Sequence, residues 1–328
     1  MMSSKGPTGW EVARAANVSQ STVSLVLSGR AQGRVSPSTQ ERVRRIAKEL
    51  GYRPHAAARS LRLGRSGLIL LIVPDVQNPF FARVLDGAEQ AAHEHECSVV
   101  LGSHQHGAVI TGAANAVDGV LVCSKPPPDL TEAGRQVPMV VLDSTARRGV
   151  PSVRLDVGDG MMQAVRRLTG LGHKRIGYLH APQRTSTFQT RWSAFKRITE
   201  DISTVVVSAD LTVSAAEDAS RELLSSPNHG VTAVVCDDDV QAAGLYRTAQ
   251  QIGVRIPGDL SVIGFGNTEV SRMLYPSLTT VELSGEELGR TGLVMLLDLL
   301  GGQQPTRRSV LPTTLVERDS TGPPPVPQ

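Results

Sequence analysis

The stretch from position 10 to 63 constrains this chain most, and its centre is Asn17-Val18-Ser19-Gln20-Ser21-Thr22-Val23-Ser24. Upstream, Val12, Ala13, Ala15 and Ala16 predict a short apolar helix. Asn17 stands where a tight turn wants a left-handed residue, a conformation asparagine accepts at low cost. The Ser19 hydroxyl is placed to cap the helix that follows. Within that helix Val23, Val26 and Leu27 share one face at i, i+3, i+4. Ala13, Asn17 and Val23 thus supply a small residue, a turn residue and a buried branched residue at helix-turn-helix offsets. The small one lets two helices approach and the branched one locks their crossing. Gln20, Ser21 and Ser24 then face outward, as short polar groups suited to base edges in a major groove.

An ordinary helical hairpin shows the same pattern; charge separates the two. Residues 1–66 hold 12 Lys/Arg against 3 Asp/Glu, whereas the remaining 262 hold 22 against 28. The overall +3 therefore hides a strongly basic head on a mildly acidic body, the footprint of a nucleic-acid module. A basic loop, 28–34, leads to Ser36-Pro37, which opens a third helix with Ser as cap and Pro in the first turn. Val43, Ile46, Ala47 and Leu50 form its inner face, and Gly51 stops it. Residues 53–64 contain good helix formers but are too short for a stable isolated helix. Such a segment is coil when free and helix when docked.

At 328 residues the chain suggests two or three domains and a core that needs no disulfides. Cys97, Cys123 and Cys236 are odd in number and lie in or beside apolar runs, which reads as reduced core cysteines of a cytoplasmic protein. The first ten residues lack the apolar centre of a signal peptide. The longest hydrophobic run, 68–73, is far below the ~20 residues needed to span a bilayer. The proline-rich end, 321–328, reads as a disordered tail.

Beyond residue 66, apolar strand-like runs alternate with helical patterns. The first series is 67–74, 80–95, 97–102, 117–123 and 137–142. The second is 158–171, 176–180, 190–199, 204–207, 215–224, 232–236, 240–252 and 260–265. Such alternation predicts parallel sheets covered by helices, and its repetition predicts two lobes. Ligands in such sheets bind at the carboxyl ends of strands, so facing lobes make a cleft there.

Particular residues carry a resemblance to a known family. They are Val18-Ser19, Thr22-Val23-Ser24, Leu50-Gly51-Tyr52-Arg53-Pro54, Ala58-Arg59-Ser60-Leu61, Ile72-Val73-Pro74-Asp75 and Asn78-Pro79-Phe80-Phe81. Further on come Gly172-His173-Lys174-Arg175-Ile176-Gly177, Pro257-Gly258-Asp259-Leu260-Ser261-Val262-Ile263-Gly264-Phe265 and Pro276-Ser277-Leu278-Thr279-Thr280-Val281. In this order, over nearly the whole chain, the sequence resembles the LacI/GalR family of bacterial transcription regulators. The fold implied is an all-α helix-turn-helix DNA-binding head with a hinge helix, joined to a two-lobed, periplasmic-binding-protein-like α/β body with parallel sheets. The boundaries expected are 1–52 for the head, 53–66 for the hinge and 67–320 for effector binding and dimerisation. Within the body the N-lobe takes 67–155 and 284–311 and the C-lobe 156–283 and 312–320, with chain crossings near Asp156, Glu282 and Pro312.

The resemblance also implies a division of labour. Gln20 and Ser21 match base-reading positions, with Leu25 where family members usually carry Arg. Thr8, Ser19, Thr22 and Ser28 match phosphate-contacting positions, which orient the domain without reading sequence. Leu61, flanked by Arg59 and Arg62, matches a leucine that family dimers push into the minor groove at the operator centre; His55 stands in this hinge where Asn is usual. In the cleft, Phe80 and Phe81 match an aromatic pair lining the ligand site, and Arg191 an arginine that binds hydroxyl or anionic groups. Asp143 either accepts from ligand hydroxyls or caps a loop. Asp238 stands where Asn is frequent, and Gly266 replaces an Asp that contacts sugar hydroxyls in many members. The segment 102–117 is shorter than the family norm. The function implied is a cytoplasmic, nucleoid-associated homodimeric repressor. It would bind a near-palindromic operator under control of a sugar or related metabolite, with no cofactor. An activator or corepressor-dependent regulator has the same sequence signature.

Two readings from other classes compete. A metal- or acid–base-dependent enzyme would use Asp237-Asp238-Asp239, or His93, His95, Cys97, His104 and His106. The acidic run opens a helix, where carboxylates complement the dipole, and the histidines lack recognised ligand spacing. Nucleophile-elbow, Walker and dinucleotide motifs are absent. A receptor without a DNA role predicts a signal peptide and no basic head, against the sequence on both counts.

Overall fold

The computed structural model describes residues 7–326 apart from 28, 30, 53–64, 104–115, 125–136, 145–148, 184, 226–229, 305 and 307. Ser28 and the hinge residues His55, Arg59 and Leu61 therefore lie outside the described residues, as do His104 and His106. The chain divides into two compact units, Met1–Ser66 and Gly67–Gln328.

In the first unit, α1 (Gly9–Ala15), α2 (Gln20–Leu27) and α3 (Pro37–Glu49) enclose a small core. Val12, Ala13, Ala16, Val23, Val26, Ala31, Val43, Ile46 and Ala47 are its buried members. A reciprocal cap starts α1: the Thr8 hydroxyl accepts from Glu11 N, and the Glu11 carboxylate accepts from Thr8 N at 2.6 Å, satisfying two orphan donors at once. Asn17 is left-handed, with φ 49°, as the turn reading requires. The Ser19 hydroxyl caps α2 by accepting from Thr22 N at 3.1 Å. Ser36 and Pro37 open α3, and Gly51 (φ 66°) follows its end. Leu50 departs from expectation: it is 42% exposed, because it sits on the helix cap beyond the turn that faces the core.

The second unit carries two six-stranded sheets. The N-lobe sheet contains β1 (Leu68–Val73), β2 (Ser98–Ser103), β3 (Gly119–Cys123), β4 (Met139–Leu142), β5 (Ser152–Leu155) and β11 (Arg308–Leu311), ordered β11-β5-β4-β3-β1-β2 and parallel throughout. The C-lobe sheet contains β6 (Arg175–His180), β7 (Ser203–Ser208), β8 (Ala233–Cys236), β9 (Ser261–Gly266), β10 (Thr279–Glu282) and β12 (Thr314–Val316), ordered β12-β10-β9-β8-β6-β7. Only β12 runs antiparallel to its neighbour. The chain passes from lobe to lobe after β5, after β10 and after β11.

The helices are α4 (Pro79–Glu94), α5 (Val157–Gly170), α6 (Ser186–Ile198), α7 (Val213–Ser225), α8 (Asp239–Ile252), α9 (Glu269–Met273) and α10 (Gly285–Leu300). In the C-lobe, α5 pairs with α6 and α7 with α8. The central strands are buried on both faces: Tyr178 joins one core cluster and Leu179 the other, the continuous apolar pattern of a covered parallel sheet. In the N-lobe, α4 packs on α10 at a distance only glycine permits. A Cβ on Gly87 would overlap the Glu286 carbonyl, and one on Gly289 the Val84 carbonyl.

Two further expectations are corrected. Helix α6 begins at Ser186, not 190, because Ser186, Thr187 and Gln189 leave Phe188 as a lone apolar residue in its first turn, too little for a hydrophobic-periodicity reading. The end of the chain is not a disordered tail up to 326. Gly322 N donates to Ser261 Oγ at 3.0 Å, and the Gly322 carbonyl lies 2.9 Å from Nε2 of the buried His173. Composition predicted disorder because prolines lack donors, but here the neighbouring glycine supplies the backbone contacts. No helix among the described residues is long and apolar enough to cross a membrane.

The glycine contact yields a test. Gly87→Ala and Gly289→Ala should each destabilise the second unit by about 1–3 kcal/mol, the usual cost of overpacking. The double variant should lose less than the sum, since either methyl opens the same gap. Denaturant midpoints of the three variants measure this; unchanged midpoints would show that the helices can part freely.

Candidate functional site

In the head, the capping geometry shapes the exposed surface. Ser19 Oγ lies 2.7 Å from Ser21 Oγ and 2.8 Å from Thr22 Oγ1, so three hydroxyls cluster at the start of α2, where backbone N–H groups favour an anion. Gln20 and Ser21 are exposed beside them. Thr8 is exposed at the start of α1. Leu25 is half-buried and packs against the head core, which leaves only part of its side chain for an outside partner.

In the second unit, the cleft residues emerge at the carboxyl ends of strands. Asn78 follows β1, Asp143 follows β4, Asp238 follows β8, and Gly266 ends β9. Arg191 comes from α6, after β6, and is buried. Its Nη1 donates to the Asp237 carbonyl at 2.6 Å and stands 3.7 Å from Asp237 Oδ1. The guanidinium lies 4.9 Å from the Phe188 ring centre and 4.6 Å from that of Phe265, a geometry that suits its planar cation. Arg191 Nε is buried without a hydrogen-bond partner, as are Gln183 Oε1 and Thr185 Oγ1. Native interiors rarely leave such groups unpaired.

Asp143 and Asp238 both feel the charge of Arg191. Burial pushes the Asp143 carboxyl up to about 6, against the opposing pull of Arg191 and Thr187. Burial, with Asp239 next to it, pushes Asp238 up to about 7, against its bond from Val240 N and the pull of Arg191. Asp143 is left-handed, at φ 50°. Asp238 caps α8 through Val240 N at 2.8 Å, so the acidic run does carry a helix start. Gly266 presents only backbone, at φ 134°.

Phe80 belongs to the buried core, with Phe81 half-exposed against it, ring centres 5.2 Å apart and edge-on. The structure therefore brings Asp143, Arg191 and Asp238 together, with Phe81 rather than Phe80 as the more open aromatic. Among the described residues no cluster of His, Cys, Asp or Glu could hold a metal.

Side-chain bridges join the lobes at several points among the described residues. Asn78 Nδ2 donates to Asp238 Oδ2 at 3.4 Å, Ser186 Oγ to Ser144 Oγ at 3.1 Å, and Arg83 Nη1 to the Gly266 carbonyl at 3.3 Å. None was legible as a bridge in the sequence. Asn78 could be read as a cap before Pro79, but its second role depends on the other lobe.

The raised carboxyls predict a pH effect. Folding lifts Asp238 from 3.8 to about 7, so the native state holds a proton that the unfolded state has released. Stability from this group is therefore present at low pH and is lost as pH rises from about 4 through 7. Asp238→Asn keeps a capping oxygen and removes the titration. Its melting temperature should gain on the wild type between pH 5 and pH 8; parallel curves would refute the shift.

Comparison with known proteins covers both units. The family model described as bacterial regulatory proteins, lacI family, matches residues 10–55, and that of a periplasmic binding protein-like domain matches 165–321. The chain is 32% identical to the ribose operon repressor of Halalkalibacterium halodurans over 95% of this chain and 96% of that one. It is also 32% identical to the transcriptional repressor CytR of Escherichia coli K12, over 89% of each. The crystal structure of the lac repressor dimer bound to operator and the anti-inducer ONPF superposes with a TM-score of 0.84 at 27% identity, covering 97% of this chain and all of that one.

Proposed function

Because the chain belongs to the lacI family of bacterial regulatory proteins, we propose that it is a transcriptional repressor. It binds a near-palindromic operator as a homodimer, under control of a small polar metabolite held between the lobes. The observation that carries this is the pairing of two sites on one chain. One is a basic three-helix head with Gln20 and Ser21 exposed at a capped helix start. The other is a cleft wall in which Arg191 Nε is buried and unpaired and the charge of Arg191 acts on the Asp143 and Asp238 carboxyls. Both relatives named above are repressors, which favours that sign over activation.

In the head, Gln20 and Ser21 read base edges while Thr8, Ser19, Thr22 and Ser28 hold phosphates. Leu25 contributes an apolar contact at most, since part of it packs inward; a thymine methyl fits that role and a guanine does not. In the hinge, His55 and Arg59 flank the minor groove and Leu61 wedges into the operator centre, at a cost of a few kcal/mol of unstacking offset by contacts to the kinked duplex. In the cleft, Arg191, Asp143, Asp238 and Phe81 take the effector, with Phe80 behind them and Gly266 leaving room. An effector switches the protein only by favouring one lobe arrangement over another. On this reading the protein works in the cytoplasm, at the nucleoid when bound.

Selection of bound duplexes from a random pool tests the reading. Enrichment should give a near-palindrome with half-sites about one turn apart. Affinity for it should fall roughly 10³–10⁵-fold between 50 and 200 mM salt if six to ten phosphates are neutralised. No enriched sequence, or a flat salt profile, would overturn it. Leu61→Ala should weaken operator binding about tenfold or more while leaving non-specific binding nearly constant; equal losses would remove the wedge.

A further inference from the structure

Arg83 holds an unusual position for a residue that touches no expected ligand. It lies on α4 of the N-lobe, about a quarter exposed. Its Nη2 pairs with Glu282 Oε1 at 2.9 Å, and its Nε with Glu286 Oε1 at 3.4 Å. Its Nη1 donates to the carbonyls of Gly266 at 3.3 Å and Asn267 at 3.5 Å. Glu282 ends β10 of the C-lobe, at the second chain crossing. Glu286 stands in the first turn of α10 on the other side of that crossing. Gly266 and Asn267 lie at the cleft end of β9. One guanidinium thus spans both lobes and the crossing between them.

The contact continues into the C-lobe. Asn267 Nδ2 donates to Glu282, and Arg318 Nη2 donates to Asn267 Oδ1. Arg318 Nη1 in turn donates to the Leu278 carbonyl at 2.7 Å. Asn267, at φ 50°, is held from both sides, so the carbonyls that receive Arg83 are fixed in place. Glu286 belongs to α10 of the N-lobe and can move with Arg83. Glu282 and the Gly266 and Asn267 carbonyls cannot, since Glu282 pairs with Gly266 on the far sheet. Opening the cleft must therefore break the bonds from Nη1, while a lysine could keep charge contact with Glu282 but could not fork to a carbonyl as well.

We propose that Arg83 is a positioning residue, a latch that stabilises the lobe arrangement described here without touching the effector. It thereby sets how much effector is needed to switch the head. The second statement rests on the effector-controlled reading above; the first does not.

The test uses the full chain with spin labels on cysteines introduced at Val76 and Asp210, both exposed at cleft ends of their lobes, and with Cys97 replaced by Ser. Pulsed distance measurements on the unliganded protein should give one dominant separation. Arg83→Ala should add a longer one, changing the ratio of the two populations about tenfold, and Arg83→Lys should fall between. Glu282→Gln, which keeps the side-chain shape, should move the distribution the same way as Arg83→Ala and serves if that variant does not fold. Distributions that match the wild type in both Arg83→Ala and Glu282→Gln would overturn the latch. If the distributions shift but no metabolite alters operator binding, the effector reading fails and the latch stands.

Discussion

The Asp237 carboxylate is the point on which the C-lobe side of the cleft depends. Fully buried, it accepts from Tyr178 Oη at 2.7 Å and Ala181 N at 2.8 Å, and lies 3.0 Å from His180 Nδ1. Its own backbone carbonyl takes Arg191. One residue thus ties the end of β6, the loop beyond it, and the guanidinium of α6 to the turn after β8. Two positions later, Asp239 accepts from Thr280 Oγ1 at 2.6 Å and from Thr268 N at 2.8 Å, joining β10 and the turn after β9 to the same helix start. Removing one partner from such a network leaves a buried charge short of hydrogen bonds, which is why these arrangements hold their geometry. Between these anchors only Asp238 is left to face the other lobe, through Asn78. The acidic run is therefore a division of roles: two carboxylates build the wall and one looks out from it.

That division marks the limit of what the sequence makes legible. The run could be read as a helix start, because carboxylates at a helix N-terminus have a local physical reason to be there. Which of the three faces the cleft depends on β6, β9 and β10 arriving at the same place, and nothing local encodes that. Asn17, Ser19, Ser36 and Gly51 were readable for the same reason that Arg83 was not. Turns and caps are decided within a few residues, whereas Arg83 acquires its partners about 180 to 200 positions away. Composition misled where a few backbone contacts outweighed it, as with the tail around Gly322. Periodicity misled where a helix opened with polar residues, as in α6. The parallel sheets were legible because buried strands of this kind are apolar without interruption.

Two of the expected departures from the family pattern, Asp238 and Gly266, lie at the carboxyl ends of C-lobe strands. Asp238 brings a carboxylate to the start of α8, and Gly266 withdraws a side chain from the end of β9. The Gly266 carbonyl accepts from Arg83. The proposed latch contact at Gly266 and the proposed effector carboxylate of Asp238 thus lie at the ends of neighbouring strands, β9 and β8.

The central claim is that the cleft and the DNA-binding head share one free-energy coupling, which must then run in both directions. Hydrogen exchange of the full chain, with and without its selected operator duplex and with no metabolite added, tests this most directly. The account predicts altered protection at cleft backbone amides, around 78–81 and 237–241, in addition to protection within 1–66. Protection changes confined to residues 1–66 would contradict it.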